Sequence, residues 1–260
     1  MPNFDASAPT FDRYRSLPPG VPDAIRCAIR TSITARTRPR VLDLGAGTGR
    51  IGKAFVAAGD AYVGVDLSLG MLREFARQTA AVDGRVCCLA QADGEQLPFR
   101  DGAFDVVLLI QVLSGAHRWR GLLDEARRVL KAGGNLVVGH VMRTPAGIDA
   151  QLKSRLAKIL EEMGVGLQQP RKSRDEALAW LRSVTRGTAS VVAASWTANR
   201  TPREFLARHR TGARFAALAP SIQEQALHRL TVWAEERFGS LGATVPESCA
   251  FELHTFESHS

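Results

Sequence analysis

Residues 41–50 read Val-Leu-Asp-Leu-Gly-Ala-Gly-Thr-Gly-Arg. A short apolar strand here runs into a loop with glycine at positions 45, 47 and 49. Glycine lets the backbone turn tightly and approach a ligand with no side chain between them. The spacing G-x-G-x-G differs from the dinucleotide pattern G-x-G-x-x-G, and no Gly-Lys-Ser/Thr of a phosphate-binding P-loop follows. The stretch therefore predicts a first strand followed by a ligand-binding loop that is neither a dinucleotide-binding loop nor a P-loop.

Strands and helices alternate on both sides of this loop. The predicted strands are Arg40–Leu44, Ala61–Asp66, Arg85–Ala90, Phe104–Ile110 and Asn135–Val141. One predicted helix ends near Ala58, a second runs to Thr79 with Ser68 as its N-cap, and a third covers Trp119–Leu130. This alternation indicates βαβ units and a parallel sheet. In such sheets ligands bind beyond the carboxyl ends of the strands, so the residues that directly follow each strand are the candidates for function.

Acidic residues stand at the ends of the second and third strands. Asp66 closes the second strand, where a carboxylate can accept hydrogen bonds from both hydroxyls of a ribose. Asp93, followed by Gly94, comes just after the third strand, where an acid can accept a hydrogen bond from an adenine amino group. A glycine loop and two acids after three successive strands form a more specific signal than any one of them.

At these residues the chain resembles the class I S-adenosylmethionine (SAM)-dependent methyltransferases of the ubiquinone and menaquinone biosynthesis type. The matching stretches are VLDLGAGTGR (41–50), VGVDLSLGML (63–72), ADGEQLPFRDGAFDVVL (92–108) and LLDEARRVLKAGGNLVV (122–138). The resemblance implies a Rossmann-like α/β fold with helices on both faces of a seven-stranded, mostly parallel sheet whose last strand is antiparallel. It also implies SAM as the cofactor and methyl transfer as the activity.

The resemblance assigns roles to individual cofactor-binding positions. The methionine part of SAM would face Asp43, Gly45, Ala46, Gly47 and Gly49, with Gln111 near the same end. The ribose would bind Asp66, and the adenosine would lie close to Leu67 and Met71. The adenine amino group would bind Asp93, with Gly94 beside it. Met71 has a plain alternative as a helix core residue. Leu67 would contribute mainly its backbone.

The N-terminal segment Phe11–Arg15 also resembles the start of such enzymes, where this part covers the cofactor. Tyr14 or Arg15 would contact the SAM carboxylate or the substrate. The alternative is that both lie on a solvated helix face. The expected organisation is an N-terminal helical lid (1–39), a SAM-binding core (40–142) and a C-terminal part (143–260) that forms a substrate cap and completes the sheet.

The sequence shows no universal catalytic residue, because a methyl group on a sulfonium is already activated and a strong base is optional. His117, which follows the fourth strand, is the first candidate for a general base, and His140 at the end of the fifth strand is the second. Many relatives carry a histidine directly after the residues that match Val112 and Leu113. This chain has Ser114 there, which weakens any borrowed catalytic role.

Composition restricts the partners. The four cysteines form no CxxC pair and no Cys/His cluster has zinc spacing, so no metal site is predicted. The net charge is +8, but the basic excess is spread over both ends of the chain, without a basic arm interleaved with aromatics. This distribution favours a small-molecule acceptor over a nucleic acid.

No apolar run approaches the about 20 residues that cross a bilayer. No signal peptide is visible either, and a cytoplasmic location is the expectation. The acceptor atom (oxygen, carbon or nitrogen), the acceptor itself and the oligomeric state are not fixed by the sequence. Two alternatives stay open: methylation of RNA or protein, and a SAM-binding protein that catalyses a reaction other than methyl transfer.

In the C-terminal part, the sequence predicts helices over Ile148–Met163 and Ser173–Thr185, a strand over Ala189–Trp196 and a last strand over Cys249–Phe256. Three capping boxes, in which a Ser or Thr and a Glu three residues later satisfy each other's backbone N–H groups, are predicted at Ser173, Thr201 and Ser221. The box at Ser221 would open a helix that runs to Phe238.

Overall fold

The computed structural model describes residues 5, 8–33, 37–80, 88–114, 116, 118–165, 170–210, 215 and 217–258. The helices are α1 (Ala8–Phe11), which a 3₁₀ turn (Asp12–Tyr14) follows, α2 (Val21–Ser32), α3 (Gly52–Ala58), α4 (Leu69–Thr79), α5 (Trp119–Val129), α6 (Ile148–Glu162), α7 (Pro170–Val184), α8 (Pro202–Arg210) and α9 (Pro220–Phe238). The strands are β1 (Arg40–Leu44), β2 (Ala61–Asp66), β3 (Cys88–Gln91), β4 (Phe104–Ile110), β5 (Leu130–Arg143), β6 (Arg186–Arg200) and β7 (Val245–Glu257).

The strands form one seven-stranded sheet in the order β3-β2-β1-β4-β5-β7-β6. Strand β1 pairs in parallel with β2 and β4, β2 with β3, and β4 with β5. The last strand is antiparallel. This confirms the predicted fold class.

The chain divides into two compact units. The sheet unit comprises the described residues of Ser16–Val141, Gln169–Ala194 and Phe251–Ser260, and the helical unit comprises those of Met1–Arg15, Met142–Gln168 and Ser195–Ala250. The sheet unit thus includes α2, α7 and the end of β7, which lie far apart in the sequence. The predicted lid (1–39), SAM-binding core (40–142) and substrate cap (143–260) stay predictions.

In the sheet unit, side chains alternate between the two faces of the central strands. Leu42 and Leu44 of β1 belong to a core that also contains Leu123 of α5 and Leu178 of α7. On the opposite face, Tyr62 of β2 lies between Phe55 of α3 and Phe75 of α4, with ring centroids 5.7 and 6.0 Å apart. Helices therefore cover both faces of the sheet, as predicted.

The helical unit has a core of its own. Helices α6, α8 and α9 bury apolar side chains against one another, among them Leu152, Phe205 and Leu230. The predicted capping box at Thr201 is confirmed: the Thr201 hydroxyl accepts from the N–H of Glu204 (3.1 Å), and the Glu204 carboxylate accepts from the N–H of Thr201 (3.2 Å).

Two other predicted caps are wrong. Helix α7 begins at Pro170 and α9 at Pro220, so Ser173 and Ser221 lie inside helices instead of preceding them. Proline is favoured in a first helical turn because its missing N–H needs no partner there. The two helices therefore begin at their prolines, ahead of the serines.

Candidate active site

The loop after β1 is held in a shape that glycine makes possible. Gly45, Gly47 and Gly49 have φ angles of 77°, 57° and 79°, in the left-handed region that other residues rarely adopt. A Cβ on Gly45 would come within 2.6 Å of Val112, and one on Gly49 would overlap the ring of Phe75. At Gly47 the nearest atom would be 3.9 Å away, so the space above this residue is open.

Backbone hydrogen bonds fix the loop to the neighbouring strand. The N–H groups of Gly45 and Ala46 both donate to the carbonyl of Val65, over 2.8 and 3.0 Å, and Gly49 donates to the carbonyl of Ala46. Because Val65 immediately precedes Asp66, the glycine loop and the predicted ribose-binding acid are positioned together.

Asp43 is a buried carboxylate with one satisfied oxygen. The Tyr62 hydroxyl donates a 2.7 Å hydrogen bond to Oδ2, whereas Oδ1 is buried and has no hydrogen-bond partner in the described part of the chain. Burial raises the pKa of Asp43 to about 6; the Tyr62 hydrogen bond opposes this shift, and the nearby Asp66 charge adds to it. A buried acceptor of this kind fits a ligand group that donates hydrogen bonds, such as an ammonium.

Asp66 is held at the end of β2 by two backbone donors. The N–H of Gly47 donates to Oδ2 and that of Ser68 to Oδ1, each over 2.9 Å. A carboxylate oxygen can accept two hydrogen bonds, so this fixed carboxylate can also receive the two hydroxyls of a ribose.

Asp93 lies in a tight turn one strand further along. Its Oδ1 accepts from the N–H of Glu95 over 3.0 Å, and its carbonyl accepts from the N–H of Gln96. The residue is exposed. At Gly94 a Cβ would come within 2.5 Å of Leu122 in α5, so glycine allows the turn to pack closely against that helix.

Leu67 and Met71 follow Asp66 and differ in exposure. Leu67 is 43% exposed, and its carbonyl accepts from the Gln91 side chain over 3.0 Å. Met71 is 3% exposed, and its N–H donates to the Ser68 hydroxyl, which caps α4 as predicted. Met71 therefore lies in the helix core, and its predicted contact with the adenosine stays a prediction.

Gln111, directly after β4, has an unusual backbone. Gln111 has a φ of 60°, and it is the one non-glycine residue with a positive φ in the described part of the chain. Such strained conformations concentrate at functional sites. The Gln111 N–H donates to the carbonyl of Gly139, and its Oε1 accepts from Arg50 over 3.3 Å. Arg50 thus connects the glycine loop with Gln111, a role that sequence reasoning missed.

Tyr14 and Arg15 belong to the helical unit. The side chain of Tyr14 lies outside what the structure describes. The Arg15 guanidinium lies 4.4 Å from the centroid of the Phe11 ring and donates to the carbonyl of Arg208 over 3.3 Å. Their predicted contacts with SAM or substrate stay predictions.

Of the two candidate bases, only His140 lies in the described part of the chain. His117 is outside the described residues. His140 lies in β5 and is 8% exposed; burial lowers its pKa to about 4, and the charge of Arg174 acts in the same direction. His140 is therefore neutral at physiological pH, and its low pKa makes it a weak base.

Comparison with known proteins decides the family. The methyltransferase domain family matches residues 42–138. A demethylmenaquinone methyltransferase of Clavibacter sepedonicus is 32% identical over 203 residues, which cover 72% of this chain and 81% of that protein. The chain belongs to the class I SAM-dependent methyltransferases of the ubiquinone and menaquinone type. The cofactor of this methyltransferase is accordingly SAM.

Solved structures support the fold of the methyltransferase. YcgJ of Bacillus subtilis has a TM-score of 0.59 at 20% identity, over 91% of this chain and 98% of that one. Phosphoethanolamine N-methyltransferase 2 of Haemonchus contortus, in complex with phosphomonomethylethanolamine and S-adenosylhomocysteine, has a TM-score of 0.54 at 14% identity, over 98% of this chain and 58% of that one.

No helix among the described residues of the methyltransferase is both long and apolar enough to cross a membrane.

Proposed function

We propose that this methyltransferase transfers the methyl group of SAM to a small organic acceptor of the hydroxylated aromatic or quinol class and leaves S-adenosylhomocysteine. The observation that carries the SAM part is Asp66, whose carboxylate two backbone N–H groups hold beside the glycine loop. The acceptor class rests on the likeness to a demethylmenaquinone methyltransferase, which extends over most of that protein's length.

The residues present fit SAM, and each part of the cofactor has a candidate partner. The unpartnered Oδ1 of Asp43 would accept from the methionine ammonium, and the open space above Gly47 would admit the methionine chain. Asp66 would hold the ribose hydroxyls, with the exposed backbone of Leu67 beside them. Asp93 would accept from the adenine amino group. Gln111, which Arg50 positions, would stand near the methionine end.

SAM supplies a methyl group whose sulfonium makes it an electrophile, so the protein has to orient the acceptor and exclude water. A strong base is optional when the acceptor is acidic or intrinsically reactive, as a phenol or quinol is, whether the methyl group goes to an oxygen or to a ring carbon. His117 and His140 remain the proposed candidates for accepting that proton, His140 the weaker of the two because of its low pKa. Tyr14 and Arg15 are proposed to contact the SAM carboxylate or the acceptor.

An acceptor screen tests the proposal. Release of S-adenosylhomocysteine is measured with a reduced naphthoquinone, a catechol-type phenol, a small primary amine and a structured RNA, each at the same enzyme and SAM concentration. The proposal predicts turnover with the quinol or the phenol that the Asp66→Ala variant largely loses. Turnover with RNA alone, or tight SAM binding without turnover of any acceptor, would contradict it and favour one of the two alternatives.

A further inference from the structure

Three side chains with metal-binding atoms meet on one face of the sheet, on strands β5 and β7. Backbone hydrogen bonds from Ser258 to Gly134 and from Thr144 to Ser248, of 2.9 and 3.2 Å, fix the antiparallel register of β7 against β5. This register places His140 of β5 opposite Glu252 of β7. His254 lies two residues further along β7, and therefore on the same face as Glu252.

The three groups converge on one point. Nε2 of His140 lies 3.4 Å from Oε2 of Glu252, and Nε2 of His254 lies 3.3 Å from the same oxygen. The two imidazole rings are nearly parallel, with an interplanar angle of 13° and centroids 5.6 Å apart. All three ligand atoms lie within 4.8 Å of one another.

These separations match those of a tetrahedral metal site. Zinc binds imidazole nitrogen and carboxylate oxygen at about 2.0–2.1 Å, and two ligands at that distance from a tetrahedral centre are about 3.4 Å apart. Both nitrogen-to-oxygen separations already have this value. The two imidazole nitrogens lie within 4.8 Å of each other, and binding of an ion would bring them to about 3.4 Å.

Burial and an outer contact restrict the movement of these ligands. Both histidines are 8% exposed. The Ser190 hydroxyl donates to the other carboxylate oxygen of Glu252 over 3.1 Å, an outer contact of the kind that orients metal ligands.

Hydrogen bonding alone leaves this cluster incompletely satisfied. A single carboxylate oxygen faces two imidazole nitrogens at once, at separations longer than the usual 2.7–3.2 Å of a good hydrogen bond. One shared cation would bind both Nε2 atoms and this oxygen together.

We propose that His140, Glu252 and His254 bind one divalent d-block ion, with Zn²⁺ as the best match, and leave its fourth position to solvent. Two imidazoles and one carboxylate form a donor set suited to zinc and its neighbours in the first transition series. The sequence predicted no metal site because these ligands come from two strands that are distant in the chain. The nearby charges of α7 are Arg174, Asp175 and Arg182, of which Arg174 is paired with Asp175 at 2.9 Å.

Zinc titration tests the proposal directly. Protein freed of metal by a chelator is titrated with Zn²⁺ in a calorimeter, and with Co²⁺ while its visible absorption is recorded. Cys27 and Cys88, whose thiols are exposed, are first replaced by serine so that they cannot compete. One ion per chain is expected, and the Co²⁺ bands should be those of a four-coordinate N/O site.

Variants separate this cluster from other histidines. His254→Ala and the more conservative His254→Gln should each weaken Zn²⁺ binding by about 100-fold or more, beyond the 10- to 100-fold typical of losing an outer-shell partner. His228→Ala is the matched control, because His228 is exposed on α9, and it should bind like the parent. Circular dichroism of each variant checks that it is folded.

Two results would overturn the assignment. One is the absence of stoichiometric Zn²⁺ uptake by the parent protein. The other is unchanged Zn²⁺ affinity in His140→Ala or His254→Gln; if His140→Ala then also lost methyl transfer, His140 would be the base and not a ligand. The proposal does not depend on the identity of the methyl acceptor, since its readout is metal binding itself.

Discussion

The hydroxyl of Tyr62 donates a 2.7 Å hydrogen bond to Oδ2 of Asp43 in the interior of the sheet unit. This contact links an acid of the proposed cofactor site to the aromatic cluster that packs α3 and α4 on the sheet. Oδ1 of the same carboxylate is buried and has no partner among the described residues, so the acid proposed to bind the methionine ammonium is also part of the packed interior.

The raised pKa of Asp43 predicts a pH dependence of stability. The folded pKa, about 6, is above the unfolded value, so the folded state holds the proton more tightly. The stabilisation is fully present below about pH 4 and is lost as pH rises through about 6. Two pKa units correspond to about 3 kcal/mol. Urea unfolding of wild type and Asp43→Asn across this pH range measures the free energy of unfolding. This free energy should change less with pH in the variant, and an equal pH dependence in both proteins would contradict the raised pKa of Asp43.

Removing the Asp66 carboxylate should weaken SAM binding without unfolding the protein. Charge-assisted hydrogen bonds are worth about 1.5–3 kcal/mol, which predicts a 10- to 100-fold (about 1.4 kcal/mol per factor of ten) loss of affinity in Asp66→Ala. Equilibrium dialysis against radiolabelled SAM measures it. Asp101→Ala is the control, because the Asp101 side chain is 82% exposed and pairs with Arg128. Equal affinities for the two variants would refute the ribose assignment.

The Gly47→Ala substitution tests whether SAM occupies the open space beside Gly47. Alanine at this position would meet no atom closer than 3.9 Å, so Gly47→Ala should fold, with a left-handed backbone cost of about 1–2 kcal/mol. Its methyl group would occupy the space assigned to SAM and reduce affinity by about 10-fold or more. Thermal unfolding and SAM titration give the two readouts.

The matched control is Gly20→Ala. Gly20 has a φ of 79°, and a Cβ at this position would meet no atom of the described residues within 4 Å. Gly20→Ala therefore has the same backbone cost as Gly47→Ala but changes a residue outside the glycine loop. It should lose similar stability and keep full SAM affinity. Were Gly47→Ala also to bind SAM like wild type, the methionine chain would have to lie elsewhere.

The capping residues of the helical unit give a test of stability alone. Thr201→Ala removes a capping box that forms and should cost about 1 kcal/mol. Ser221→Ala changes a residue inside the first turn of α9 and should cost much less. Denaturant unfolding compares them; equal costs would mean that the Thr201 cap contributes nothing.

Local patterns predicted the elements whose cause is local. Strand β4 has the predicted bounds, Phe104–Ile110, because all of its residues are buried and all except Asp105 are apolar. Ser68 caps α4 as its position suggested. Strand β5 begins earlier than predicted: Leu130 pairs with Phe104, and an irregularity separates this pair from the next one, between Val106 and Asn135. Gly133 and Gly134 lie within that irregularity.

Contacts between distant segments could not be predicted in this way. The strand register pairs Asp43 with Gly64, which puts Tyr62 diagonally on the same face, and only that register shows the hydrogen bond. His140 meets Glu252 and His254 because β7 returns antiparallel beside β5, an arrangement that spacing along the chain does not reveal.

Calorimetric titration of the purified protein with SAM and with S-adenosylhomocysteine shows whether the glycine loop and the three acids bind SAM. Micromolar binding of both ligands is expected, at one molecule per chain. Absence of heat and of binding for both ligands with folded protein would contradict it.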